Sequence, residues 1–140
     1  VNAENYDKPL AGFKIVVDPS VNYSGYFDAR SRSITMKQID DSVYHELGHF
    51  LAFIAGNVDK TASFQSIFAA EKANVTAFNK AYVTQNASEY FAESVKDYIL
   101  NNASLKSTRP QTYAAVQNAL NQITDAQIAK IQKIYGAFWN

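Results

Sequence analysis

The sequence predicts an α+β fold, with a small N-terminal β-sheet followed by a helical bundle. Short apolar or alternating runs occur in the first forty residues, and turn-forming residues separate them. After residue 40 the apolar residues recur at helical spacing, and Ser, Thr, Asp or Asn precede several of these segments, as helix caps do. A length of 140 residues fits one domain, so we expect a single domain over residues 1–140.

Three short strands are predicted before residue 40. Residues 13–17 form an apolar run that Asp18 and Pro19 end. A turn at residues 22–26 contains Gly25, and residues 26–27 extend a second strand after it. Residues 33–36 alternate between polar and apolar side chains, which is the pattern of a half-buried strand.

The remainder of the chain is predicted to be helical. Asp40, Asp41 or Ser42 can begin the first helix, and the Gly56-Asn57 pair can end it near residue 55. The later helices are predicted at residues 62–70, 71–82 and 89–100, from Pro110 onwards, and from residue 125 to about residue 136.

Composition and charge exclude several classes of protein. Thirteen basic residues balance thirteen acidic ones, and no cluster of Lys or Arg is present, so we expect no nucleic-acid partner. The apolar runs are far shorter than the roughly 18 residues that a spanning helix needs, so we expect no membrane insertion. Because the chain has no Cys, it can form neither a disulfide nor a thiolate metal site.

Residues 45–49 read His-Glu-Leu-Gly-His and carry the chemical signal of the sequence. On a helix, His45 and His49 lie on one face about one turn apart and can bind one zinc ion. Glu46 then faces the open coordination position and can act as the general base that activates water. A histidine on a helix is usually a surface or core residue, but the two histidines of this motif are the whole histidine content of the chain.

A catalytic zinc ion usually has three protein ligands, and the third must here be Asp or Glu. Glu89 and Glu93 form the best candidate pair, because their spacing places both on one face of a predicted helix. Two like charges at this spacing repel each other, and a bound metal would remove that cost. The candidates after Glu46 are Asp59, Glu71, Glu89, Glu93, Asp97 and Asp125.

The motif followed forty residues later by Glu-Tyr-Phe-Ala-Glu resembles the catalytic domain of anthrax lethal factor and its relatives, which include the clostridial Pro-Pro endopeptidases. The resemblance implies that Glu89 is the third zinc ligand and that Glu93 supports the site without touching the metal. It also implies that Tyr82, seven residues before Glu89, stabilises the oxyanion or protonates the leaving group. By order along the chain, residues 33–36 would be the edge strand that pairs with substrate backbone.

Two features of this sequence bear on that resemblance. The clostridial endopeptidases place an acidic residue just before the ligand Glu, whereas this chain has Ser88 there. Thermolysin-like enzymes place their Glu ligand about as far after the second His as Glu71 lies after His49, so Glu71 stays open as an alternative ligand. Its Ala-Ala-Glu-Lys context lacks the pattern of those enzymes.

The resemblance implies a zincin-like fold and a zinc-dependent endopeptidase of the gluzincin type with one Zn²⁺ per chain. We expect a protein or peptide substrate, a monomer, and a secreted, toxin-like bacterial protein. The alternative is a non-catalytic zinc-binding interaction module on the same scaffold. The presence of Glu46 favours the enzyme, because a purely structural site has no need of a base.

Overall fold

The computed structural model describes residues 14–31, 33–38 and 40–139, with side chains described as far as residue 134. In this part of the chain a three-stranded sheet precedes seven α-helices, so the predicted α+β class is confirmed. Phe13, the first residue of the predicted 13–17 strand, lies outside the described residues. Every helix in the described ranges is too short or too polar to cross a bilayer.

The sheet consists of β1 (Lys14–Val17), β2 (Gly25–Asp28) and β3 (Ser33–Met36), in the order β1-β3-β2. β3 pairs in parallel with β1 and antiparallel with β2. The prediction that residues 33–36 form an edge strand is therefore wrong, because β3 lies between the other two strands, and β1 and β2 are the outer strands of the sheet in the described residues. The middle position also buries β3 more completely than the half-buried strand that the sequence predicts, since Ile34 and Met36 are 0% and 1% exposed.

The helices follow the sheet in chain order and are joined in two places by 3-10 turns at Val58–Lys60 and Lys72–Asn74. They are α1 (Ser42–Ile54), α2 (Ala62–Glu71), α3 (Lys80–Val83), α4 (Ala87–Leu100), α5 (Asn102–Thr108), α6 (Pro110–Asn121) and α7 (Asp125–Trp139). The predicted helices that became α1, α2, α4, α6 and α7 are confirmed, although α7 continues past residue 136. Helix α5 was not predicted from the sequence.

The predicted helix over residues 71–82 is wrong. The chain leaves the helix at Glu71, whose carboxylate accepts hydrogen bonds from the backbone N–H groups of Gln111 (3.1 Å) and Thr112 (2.8 Å) at the start of α6. Val75 is extended, with a ψ of 131°, and its side chain is buried. These tertiary contacts outweigh the weak local preference of the segment for helix, and only α3 forms near its end.

The core lies between α1 and α4, with α2 and α6 packed around them. Phe64 packs edge-on against Phe91, with ring centroids 5.1 Å apart, and Leu51 and Val116 belong to the same buried cluster. The two central helices approach most closely at Gly48 of α1. A β-carbon at that position would lie only 2.6 Å from the Cα and the carbonyl oxygen of Ala92 in α4.

We expect Gly48→Ala to lower the free energy of unfolding by about 1–3 kcal/mol, although alanine favours helix over glycine. The added methyl group meets backbone atoms of α4, so the two helices must separate. Urea denaturation followed by circular dichroism measures the change. Ser66→Thr, which adds one methyl group on the exposed face of α2, is the control and should change stability by less than about 0.5 kcal/mol. Equal stability of both variants would contradict the close packing of α1 against α4.

Candidate metal centre

Helix α1 carries the His-Glu-Leu-Gly-His motif on the side that faces α4 and the sheet. The carboxylate of Asp40 accepts a hydrogen bond from the backbone N–H of Ser42 (2.9 Å), which satisfies a donor at the start of the helix. His45 and Glu46 are both 5% exposed, and His49 is half-buried. The imidazole rings of the two histidines lie one helical turn apart, with centroids separated by 5.0 Å.

Helix α4 presents Glu89 and Glu93 to the histidines. The side chain of Asn86 caps the helix by accepting a hydrogen bond from the backbone N–H of Glu89 (2.8 Å), so the first of these acids lies in the first turn of the helix. Glu93 lies one turn further on and is 7% exposed. The close packing of Gly48 against Ala92 brings both carboxylates within reach of α1.

His45 lies between the two carboxylates and donates a hydrogen bond to each when its ring is protonated. Its Nε2 atom is 2.8 Å from Oε2 of Glu89, and its Nδ1 atom is 2.7 Å from Oε2 of Glu93. Burial alone would lower the pKa of His45, but the two hydrogen bonds and the negative charges of the nearby glutamates together outweigh it and raise the pKa to about 9. Burial likewise opposes ionisation of Glu89 and Glu93, yet the contacts with histidine hold the pKa of each carboxyl below its ordinary value.

Nε2 of His49 lies 3.5 Å from the same Glu89 oxygen that contacts His45. One donor atom from each of these three residues lies within 4.8 Å of the other two, so the group could hold a metal ion. Ligands about 2.0 Å from a tetrahedral zinc ion lie about 3.3 Å from each other, and the observed 2.8 and 3.5 Å are close to that separation. Two imidazoles and one carboxylate are also a donor set that zinc accepts.

Among the residues that the structure describes, His45, His49 and Glu89 alone converge in this way. Glu93 contacts the Nδ1 side of His45, away from the shared centre, which is the position of a residue that orients a ligand. Glu71, the alternative ligand, instead directs both carboxylate oxygens to the start of α6. Its capping of another helix accounts for its burial without a metal.

Glu46 of α1 lies against β2 of the sheet and beside the two histidines. A β-carbon on Gly25 of β2 would lie 2.9 Å from Cγ of Glu46, so the absence of a side chain at this point of β2 makes room for the carboxylate. Burial raises the pKa of Glu46, and the nearby histidines oppose this shift without cancelling it. The carboxylate is therefore a stronger base than a solvated one.

Tyr82 of α3 lies beside His45 and Glu89. Its ring centroid lies 6.2 Å from that of His45, and its hydroxyl interacts with the Glu89 carboxylate. Partial burial and the negative charge of Glu89 raise the pKa of the Tyr82 hydroxyl to about 12, so it stays protonated at neutral pH and remains a hydrogen-bond donor. The side chain is still 52% exposed, and a ligand can reach it.

A cavity of about 360 Å³ opens beside these groups. Its wall includes Glu46, His49, Tyr82 and Glu89 together with Gly25, Asp59 and Ser88. From the sequence, Gly25 was predicted only to lie in a turn. The hydroxyl of Ser88 donates a hydrogen bond to Asp59 (2.7 Å), which joins the Val58–Lys60 turn to the start of α4. No local pattern reveals this contact, because the two residues are far apart in the chain.

The arrangement has the features of a metal-binding centre built between two packed helices. The profile of the family described as "Anthrax toxin lethal factor, N- and C-terminal domain" matches residues 22–119, well over half of the chain. The chain belongs to the anthrax toxin lethal factor family. It is also 41% identical over 78 residues to a Pro-Pro endopeptidase of Clostridioides difficile (strain 630), a match that covers 53% of this chain and 34% of that relative's own length.

The metal-free protein should lose stability as the pH rises from about 6.5 to about 9. The folded state raises the pKa of His45 above its ordinary value of 6.5 to about 9, so this contribution is complete below pH 6.5 and disappears as His45 loses its proton. A loss on the order of 1–3 kcal/mol is expected. Urea denaturation in the presence of a chelator, at a series of pH values, measures it.

The control for this titration is His45→Asn, which removes the titrating ring and should flatten the same pH interval. Glu93→Gln should shift the fall to lower pH, because one of the two carboxylates that stabilise the imidazolium has lost its charge. An equal fall in the wild type and in His45→Asn would assign the loss to another group.

Proposed function

We propose that this chain is the catalytic domain of a zinc-dependent endopeptidase, a single domain with one Zn²⁺. The observation that carries the proposal is the convergence of His45, His49 and Glu89 in a group that could hold a metal, with Glu46 beside it. Membership of the lethal factor family supports it, as does the similarity to a relative named a Pro-Pro endopeptidase. The substrate would be a protein or peptide.

The three converging residues would hold the zinc ion through Nε2 of each histidine and a carboxylate oxygen of Glu89. When bound, zinc acts as a Lewis acid that polarises the scissile carbonyl and makes water more acidic. Glu93 would keep Nδ1 of His45 protonated and hydrogen-bonded, which presents Nε2 as the metal-binding nitrogen. This distinguishes the role of Glu93 from that of Glu89, one turn earlier on the same helix.

Glu46 would act as the general base. Its carboxylate lines the cavity and has a pKa raised by burial, so it can accept a proton from the attacking water near neutral pH. The same group, once protonated, can pass the proton to the amine that leaves. The contact with Gly25 limits the positions open to this side chain and keeps it beside the cavity.

Tyr82 would donate a hydrogen bond to the oxygen that becomes negative as the carbonyl is attacked. Its hydroxyl stays protonated at neutral pH, and its exposed side chain can turn from Glu89 towards a substrate. A hydrogen bond of this kind strengthens as charge develops in the transition state, so it accelerates the reaction more than it tightens substrate binding.

The substrate backbone would pair with β2 instead of the 33–36 strand expected from the sequence. β2 is an edge of the sheet, and Gly25, Tyr26 and Phe27 of this strand line the cavity. An exposed strand edge offers backbone donors and acceptors to an extended peptide, which holds the scissile bond in register beside the catalytic groups. We also propose that the protein is exported from a bacterium and acts as a monomer.

Removal of the metal should abolish peptide cleavage, and added Zn²⁺ should restore it. Glu46→Gln should retain zinc but lower the turnover rate by at least about 100-fold, because the base is lost. Glu89→Gln should instead weaken zinc binding. Cleavage of a quenched fluorescent peptide library, together with zinc content measured on the same samples, separates the two effects. Hydrolysis that survives complete metal removal would exclude a metallopeptidase, and a zinc-loaded wild type that cleaves no peptide would favour the non-catalytic module.

Tyr82→Phe should lower kcat on the order of 100-fold while KM and zinc affinity change little, because the hydroxyl acts on the transition state. Tyr113→Phe is a matched control, since Tyr113 packs on Tyr98 with ring centroids 5.1 Å apart and does not line the cavity. Steady-state kinetics on a peptide identified in the library measures both variants. Unchanged kcat in Tyr82→Phe would remove the hydroxyl from the mechanism.

A further inference from the structure

The cavity beside the metal centre extends beyond the catalytic groups to the 3-10 turn Val58–Lys60. Phe53 of α1 and Asn57 contribute to the wall there, and Asp59 and Ser88 lie between this turn and the start of α4. A substrate side chain next to the scissile bond would enter this part of the cavity. The residues that line it would therefore select that side chain.

Asp59 has a feature that the mechanism does not use. The residue is 5% exposed, and its Oδ2 atom accepts a hydrogen bond from the hydroxyl of Ser88 at 2.7 Å. Its Oδ1 atom is buried and has no hydrogen-bond partner among the described residues. A buried carboxylate oxygen without a donor is unfavourable, so native proteins keep few of them, and many occur where a ligand or a water completes the group.

The chemistry of the missing partner follows from the charge of the acceptor. A carboxylate oxygen needs an N–H or O–H donor, and a charged donor gives the stronger bond. Glu46 and Glu89 line the same cavity and add negative potential. Lys60 lines it too, but the residue is exposed and its charge is screened by solvent. A basic side chain would satisfy Oδ1 and place its methylene groups along the wall that Phe53 forms.

We propose that Asp59 is a specificity-determining residue and that the cavity selects substrates with Lys or Arg at one position beside the scissile bond. Ser88 positions the carboxylate by holding its Oδ2 atom, which leaves Oδ1 for the substrate. This assignment rests on the proposed peptidase function and names the substrate class of the same site. The resemblance to Pro-Pro endopeptidases does not imply it, since proline has no side-chain donor.

Peptides that differ in one residue on either side of the scissile bond test the assignment. At one position, Lys or Arg should exceed norleucine, which keeps the methylene groups without the ammonium, by at least about 10-fold in kcat/KM. Asp59→Asn should reduce this ratio to below about 3-fold, because kcat/KM falls more for the basic peptide than for the norleucine peptide. Asp125→Asn is the control, because it removes one carboxylate at the start of α7, outside the cavity, and should leave the ratio unchanged.

Binding to zinc-loaded Glu46→Gln, measured by fluorescence anisotropy with the same peptides, gives a readout that does not need turnover. A preference for the basic peptide that disappears in Glu46→Gln/Asp59→Asn supports the assignment even where cleavage fails. Cleavage by the wild type without a preference for basic residues at any position would overturn it and leave the peptidase proposal intact. A preference that persists in Asp59→Asn would overturn it too, since a water molecule on Oδ1 would then account for the unpaired atom.

Discussion

The close approach of α1 and α4 is the constraint on which the rest of the structure depends. The reach of a glutamate side chain is limited, so Glu89 and Glu93 meet His45 because the two helix backbones approach each other closely. Gly48 allows that contact with Ala92, because any side chain at that position would meet the backbone of α4. The glycine inside the His-Glu-Leu-Gly-His motif is therefore a packing residue that sets the distance between the donor groups.

This packing concentrates negative charge in a poorly solvated space. Glu46, Glu89 and Glu93 are largely buried around two imidazoles, and such a group is stable only with a compensating positive charge. In the metal-free protein a proton on His45 supplies part of that charge, which explains its raised pKa. A divalent cation bound by His45, His49 and Glu89 would supply it more completely and would satisfy the same oxygen that both histidines now approach.

The sheet contributes to the site through β2. β2 lies against α1 with Gly25 next to Glu46, and Phe27 packs edge-on against Phe50, with ring centroids 5.6 Å apart. The family match over residues 22–119 includes β2, β3, the two helices that carry the candidate metal ligands and most of α6, whereas β1 and the whole of α7 lie outside it. The matched region therefore corresponds to the elements that build and support the cavity.

The sequence by itself determined the features that depend on local spacing. The helical repeat alone places the two histidines one turn apart, pairs Glu89 with Glu93 and gives α1 and α4 their apolar faces. The α+β order follows from the change in the spacing of apolar residues near residue 40. A role for Tyr82 could be predicted only from the family resemblance. Tyr82 and Glu89 lie on different helices, so the helical repeat does not relate their positions.

Only the tertiary structure decided which strand is the edge, why residues 71–82 leave the helix, and where Asp59 lies. Strand order depends on pairing between distant segments, and here it placed Ser33–Met36 in the middle of the sheet. Glu71 was a candidate ligand by spacing but caps α6, forty residues further along the chain. The Asp59–Ser88 contact joins residues 29 positions apart. Such contacts arise from the global packing of helices, and no local pattern of residue types encodes them.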